Sequence, residues 1–279
     1  MEKIPLDKSW IIRMGFLDII NEYGDIAIFL DTQKNLNDDL LALKRVAETW
    51  KLEKKINVGE SGTIYRFFKF ASWKLKLGKE FVLEGTLKDR KICDDSSIVS
   101  WPLEKLLELD NGTSQWASAA ILMGDETRIS NPPYKLKVTH DAVDHWKSQR
   151  AKNESWLPRY DNTILRQSEV YLKMCKGEAF GFIPEQAEDY CFARIFGLIS
   201  KEEGEGKWPA LRGHESDRIA EMEVVIQQIE RGEQIASKDH RVVQAVGMYQ
   251  KLNNIDSTVM YPTSVNKSWP QFWEFINTQ

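Results

Sequence analysis

Five cations in this sequence stand in or beside short polar stretches from which a helix could start. Arg13 follows Asp7-Lys-Ser9, and Arg66 follows Gly59-Glu-Ser-Gly-Thr63. Arg218 ends His214-Glu-Ser-Asp-Arg218, Arg241 ends Lys238-Asp-His-Arg241, and Lys267 lies in Ser264-Val-Asn-Lys267. The first turn of a helix leaves N–H groups unsatisfied and carries the positive end of the dipole, so it suits phosphate and carboxylate. Ser, Thr, Asp and Asn also serve there as ordinary N-caps, so the polar residues alone do not separate an anion site from a capped helix. The cation at each start is what points to anion chemistry.

The elements that would hold these residues follow from apolar spacing. Ile64, Phe67, Phe68 and Ala71 continue the second stretch at helical intervals, and Trp116, Ala119, Ala120 and Met123 follow Asn111-Gly-Thr-Ser-Gln115. Ile219, Met222, Ile226 and Ile229 predict a helix after Arg218, and Val242, Ala245, Val246 and Tyr249 one after Arg241. Between them Ile26–Leu30, Phe81–Leu83, Lys135–Val138 and Ser257–Met260 are β-prone. The expected class is therefore mixed α and β, with long loops at Lys147–Tyr160 and Lys201–Gly213.

Composition narrows the partners. A net charge of −4 gives no general attraction to nucleic acid, so an anionic ligand must be drawn by local Lys and Arg. Met1–Arg13 lacks the basic start and apolar core of a secretory signal, and no stretch nears the ~18 apolar residues of a membrane helix. Cys93, Cys175 and Cys191 show no CxxC spacing, and His140 and His145 are five apart rather than four, which argues against a metal site. A cytoplasmic monomer that binds neither nucleic acid nor membrane is the expectation. Trp10, Trp116, Trp208 and Trp269 lie in or beside the polar motifs, where packing explains them better than base stacking.

The order of the motifs resembles the enolpyruvyl transferase family. Ile4-Pro-Leu-Asp-Lys-Ser9 with Arg13 is similar to P-G-S-K-S-x-x-x-R, Leu36-Asn-Asp-Asp-Leu40 to S-D-D-V, and Asn57–Thr63 with Arg66 to G-N-A-G-T-x-x-R. Thr113-Ser-Gln115 with Ala117–Ala120 resembles S-S-Q-F-x-S-A-L, and Asn131–Tyr134 resembles S-K-P-Y. Ile183–Ala187 is similar to I-P-D-A-A, His214–Arg218 to K-E-T-D-R, Asp239–Arg241 to D-H-R, and Ser264–Pro270 to C-x-x-K-S-F-P. Family members are well over 400 residues, so the resemblance implies a shortened form. It implies an α/β (α+β) fold: a trimmed, two-domain inside-out barrel of βαβαββ repeats, with residues 10–135 as upper domain and 1–9 plus 136–279 as lower.

The chemistry implied is transfer of the enolpyruvyl group of phosphoenolpyruvate to shikimate 3-phosphate or a related acceptor, without metal or other cofactor. By resemblance Lys8, Arg218, Arg241 and Lys267 hold phosphoenolpyruvate. Ser9, Arg13, Thr113, Ser114, Gln115 and Tyr134 hold the acceptor, and Glu185, Glu215 and the His214 beside Glu215 are the catalytic groups. Two carboxylates among cations at different burial can act as acid and base, because environment separates their pKa values. Glu60 and His214 depart from the family's asparagine and lysine, and the arginine expected near Lys88 is missing. Those departures leave a second expectation, a non-catalytic anion-binding descendant, and a third, a structural or partner-binding domain.

Overall fold

The computed structural model describes residues 3–154, 158–212 and 217–278. Helix, 3-10 turns included, accounts for 60% of the described residues, which hold one sheet of two short parallel strands. The expected barrel of βαβαββ repeats is thereby overturned. The physical reason lies in the runs taken for strands. Ile26–Leu30 is inside a helix whose first turn is capped from a distance, by Asp18 Oδ2 accepting the Ile26 N–H at 3.1 Å. Lys135–Val138 opens an 18-residue helix behind Pro133, and Ser257–Met260 contributes only one isolated bridge, Ile235 to Val259. Only Phe81–Leu83 is a strand. Local β-propensity is weak against tertiary context.

Contacts divide the chain into a first compact unit, Leu6–Arg159, and a second, Met1–Pro5 with Tyr160–Gln279. The first contains α1 (Lys8–Ile20), α2 (Asp25–Thr32), α3 (Asp38–Thr49), β1 (Lys55–Gly59), α4 (Gly62–Lys74) and β2 (Glu80–Leu83). It continues with α5 (Leu103–Leu106), the short turn α6 (Leu109–Gly112), α7 (Gln115–Leu122) and α8 (Tyr134–Ala151). Helix α1 is buried on every side from Trp10 to Ile19, with Trp10, Ile11, Met14 and Phe16 fully covered, so it runs through the core. Gly15 permits this: a Cβ there would lie 2.8 Å from Leu43 and 2.9 Å from Ile26. β1 and β2 pair in parallel, Lys55 opposite Glu80, and α4 is the crossover that parallel pairing demands.

The second unit contains α9 (Asn162–Cys175), α10 (Tyr190–Ile195), α11 (Lys201–Lys207), α12 (Arg218–Glu230), α13 (His240–Asn253) and α14 (Phe272–Asn277). α13 is its centre. Val243 and Met248 pack with Trp269 and Phe272, and Val242 and Val246 with Tyr190 and Ile219. Gly247 admits the Phe272 ring, which a Cβ would meet at 2.8 Å. The two expected long loops are partly helical: α8 runs on to Ala151, and α11 begins at a capping box between Ser200 and Glu203. No helix among the described residues is long and apolar enough to cross a membrane.

Candidate anion sites

In the first unit the residues expected to hold an acceptor gather where α1, α4, α7 and α8 begin. Asp7 caps α1 by accepting the Trp10 N–H at 3.1 Å, which fixes Lys8 and Ser9 on its first turn and Arg13 on its second. Lys8 reaches Asp39 of α3 at 2.7 Å. Arg13, 3% exposed, donates from Nε to Thr139 at 2.7 Å, from Nη1 to the Ser9 carbonyl at 2.8 Å, and from Nη2 to the Lys135 carbonyl and Ser118 Oγ. Burial pulls its pKa down to about 10, with Asp7 and Tyr134 working the other way. Four bonds to protein make this guanidinium a brace tying α1 to α7 and α8. Lys135 donates to Ser9 Oγ at 3.2 Å and stands over the half-exposed Tyr134 ring.

Gln115 joins the starts of α4 and α7. Its Oε1 accepts from Arg66 Nη1 at 2.7 Å and its Nε2 donates to Thr63 Oγ1 at 2.9 Å. Thr113 accepts the Gln115 N–H, and the Ser114 carbonyl accepts the N–H of Ser118. Asp110, a residue outside every expected motif, organises this corner. Its Oδ2 accepts from Arg66 Nε at 2.7 Å and Trp116 Nε1 at 2.8 Å, and its Oδ1 accepts the Cys93 N–H at 2.8 Å. Asp110 and Asn111 both have left-handed backbone, φ 49° and 62°, and Gly112 follows at φ 80°. Such strain persists only where surrounding bonds over-determine it, and Asp110's three donors supply that. Glu60 accepts from Thr86 and packs against Gly85 rather than against Arg66.

In the second unit two aspartates organise separate networks: Asp189 around Glu185 and Arg166, and Asp239 around Arg218 and Arg241. Asp189, fully buried, accepts from Gln167 on Oδ1 and from Arg166, the Glu185 N–H and the Gln186 N–H on Oδ2. Arg166 in turn pairs with the exposed Glu185 carboxylate at 3.1 Å. Arg218 Nε pairs with Asp239 at 2.8 Å, and Asp239 Oδ1 caps α13 by accepting the Arg241 and Val242 N–H groups. Burial works to lower the Arg218 pKa, but Asp239, Cys191 and Glu188 raise it on balance. The buried Cys191 thiol is pushed up to about 12 by burial and by Asp239. Beside it Arg241, 7% exposed, meets only Asp161, at 3.6 Å, and its buried Nη1 has no hydrogen-bond partner among the described residues.

Lys267 ends the 3-10 turn Pro262–Lys267, which Gln244 of α13 holds through a 2.8 Å bond to Ser268. His214 and Glu215 lie outside the described residues. Sequence reasoning missed Asp110, Asp161, Asp189, Arg166 and Thr139. Two of these carried a local signal: Asp161 as N-cap of α9, accepting the Ile164 N–H at 2.9 Å, and Asp189 as the return partner of a capping box with Gln186. In comparison with known proteins, the chain matches no family model, no curated protein and no solved structure.

Proposed function

We propose that the second unit binds a small phosphorylated or carboxylate anion at the start of α13, and that the chain is a non-catalytic anion-binding module. The observation that carries this is Arg241: a guanidinium nine-tenths buried, held 3.6 Å from one carboxylate, with a buried donor left unpartnered among the described residues. Buried polar groups are ordinarily satisfied, and each exception calls for a cause. A phosphate or carboxylate accepting from Nη1 would supply the missing bond in bidentate geometry. The motif order makes phosphoenolpyruvate the ligand to try first.

A second reading is carboxyvinyl transfer from phosphoenolpyruvate to shikimate 3-phosphate or a related acceptor. It is favoured by Glu185, an exposed carboxylate 3.1 Å from Arg166, on a loop pinned by Asp189. A carboxyl so placed, beside the Arg166 cation, could act as proton donor to a bound anion.

Calorimetric titration with phosphoenolpyruvate, inorganic phosphate and shikimate 3-phosphate, with phosphate release followed in the mixture, tests both. The expected outcome is binding of phosphoenolpyruvate that weakens about thirtyfold or more in Arg241→Gln, without turnover. Phosphate release dependent on Glu185 would replace the first reading by the second. Absence of binding by all three anions would overturn both.

A further inference from the structure

The edge of the first unit where β1 and β2 begin carries a different chemistry. Residues 51–55 lead from α3 into β1, and residues 75–79 lead from α4 into β2. Because the strands are parallel, both approaches arrive side by side: the Glu80 N–H donates to the Lys54 carbonyl at 2.9 Å, and Lys79 Nζ donates to the Glu53 carbonyl at 2.6 Å. Along these segments Lys51, Lys54, Lys55, Lys74 and Lys76 are exposed and Lys79 is half-buried. Six lysines face three glutamates, Glu22, Glu53 and Glu80, of which Glu22 pairs with Lys51 at 3.1 Å and Glu80 with Lys54 at 3.0 Å, so the edge keeps an excess of positive charge in a protein whose net charge is −4.

Between the lysines stand three leucines turned to solvent, Leu52 at 85% exposure, Leu75 at 45% and Leu77 at 44%. The second approach reads Lys74-Leu-Lys-Leu-Gly-Lys79 and is fixed rather than loose. The Leu77 N–H donates to the Ser72 carbonyl and the Lys79 N–H to Ser72 Oγ, while Lys76 and Gly78 take left-handed backbone, φ 55° and 62°. The turn therefore holds its apolar side chains outward.

We propose that this edge docks on an anionic lipid bilayer, with the three leucines entering the headgroup boundary and the lysines meeting lipid phosphate and carboxylate. Apolar side chains in a rim of Lys are the pattern of interfacial binding, which adds apolar burial to electrostatic attraction. A nucleic acid would use the lysines but not the leucines. The aromatic faces it would stack on are not offered here, since Trp50 is 5% exposed beneath Lys79 and Trp73 stacks on Trp116. The absence of a spanning helix bears only on crossing a membrane, not on lying against one.

The test is co-sedimentation of the full chain with phosphatidylcholine vesicles with and without phosphatidylserine, beside a duplex DNA binding assay. Three proteins are compared: the parent, Leu52→Ser with Leu77→Ser, and Lys51→Glu with Lys76→Glu. All four side chains are exposed, and circular dichroism verifies folding. Binding to the phosphatidylserine vesicles is expected, falling with salt. It should drop tenfold or more in the lysine variant, at roughly fivefold per charge removed, and several-fold in the leucine variant. No binding to phosphatidylserine vesicles at low salt would overturn the proposal. So would binding that the leucine variant leaves unchanged, or a preference for duplex DNA over the vesicles.

Discussion

Two buried arginine–aspartate pairs, one in each unit, differ in how completely the arginine is used. In the first unit Arg66 has a 2.7 Å contact with Asp110, a 2.7 Å bond to Gln115 and a further bond to the Gly62 carbonyl, and Asp110 takes two more donors. In the second, Arg241 stands 3.6 Å from Asp161 with Nη1 unpartnered among the described residues. The first pair is architecture: Arg66 Nε and Nη1 and both Asp110 oxygens are engaged by protein, and neither side chain leaves a buried donor or acceptor unpartnered among the described residues. The second retains capacity. Burial and charge look alike at the two places, so the count of unmet donors is what separates a brace from a binding group.

The sharpest way to break this contrast is Asp110→Asn. It leaves Arg66 buried without its counter-charge and should cost about 3–5 kcal/mol in urea denaturation. A loss under 1 kcal/mol would show that the corner is not the brace described. Next is Asp189→Asn, expected to cost about 2 kcal/mol and to open the Glu185 loop to limited proteolysis, because four donors lose a buried carboxylate. Asp161→Asn keeps an equally good N-cap for α9 and should change stability by less than about 1 kcal/mol. Its effect falls on binding: with the competing charge gone from Arg241, phosphoenolpyruvate should bind roughly fivefold tighter by calorimetry. Weaker binding would mean that Asp161 orients Arg241 for the ligand.

The smallest effect is a pH slope confined to the first unit. Burial lowers the pKa of His140 and of His145, with Arg128 and Arg159 respectively adding to it. A depressed folded pKa means that the unfolded chain takes up protons first as pH falls through about 6.5. Stability is therefore fully present above that pH and declines below it. Denaturation at pH 7.5 and 5.5 should show the decline, and His140→Gln should flatten it.

Part of this was legible from sequence. The helices after Ser61, Asp217 and Asp239 were readable because a capping side chain is followed at once by apolar residues at helical spacing, and each cap bond is made. The sheet was not. Lys55–Gly59 merges into the polar motif that follows it, and the Ile and Val of three other runs pointed to strands that tertiary packing made helix or a single bridge. The Ser200–Glu203 capping box is a local signal for α11 at the edge of the polar, Gly-rich run Lys201–Gly213, whose composition otherwise points to loop. For the sites, the cations were visible but their partners were not. Asp110 lies 44 residues from Arg66 and Asp189 lies 23 from Arg166, and local pattern carries no information on which distant carboxylate closes a buried pair.

The second unit is stitched from both ends of the described chain: Trp269 Nε1 donates to the Lys3 carbonyl at 2.7 Å, and Lys3 Nζ reaches Glu274 and Thr278. On a ribosome adding about 5–20 residues per second, residues 3–5 are made before the first unit and then wait, roughly ten seconds after Arg159 is made, for Trp269 to arrive. The first unit has every one of its own residues long before that. Translation thus imposes an order in which the brace around Arg66 can set while the partners of Arg241 are still being made.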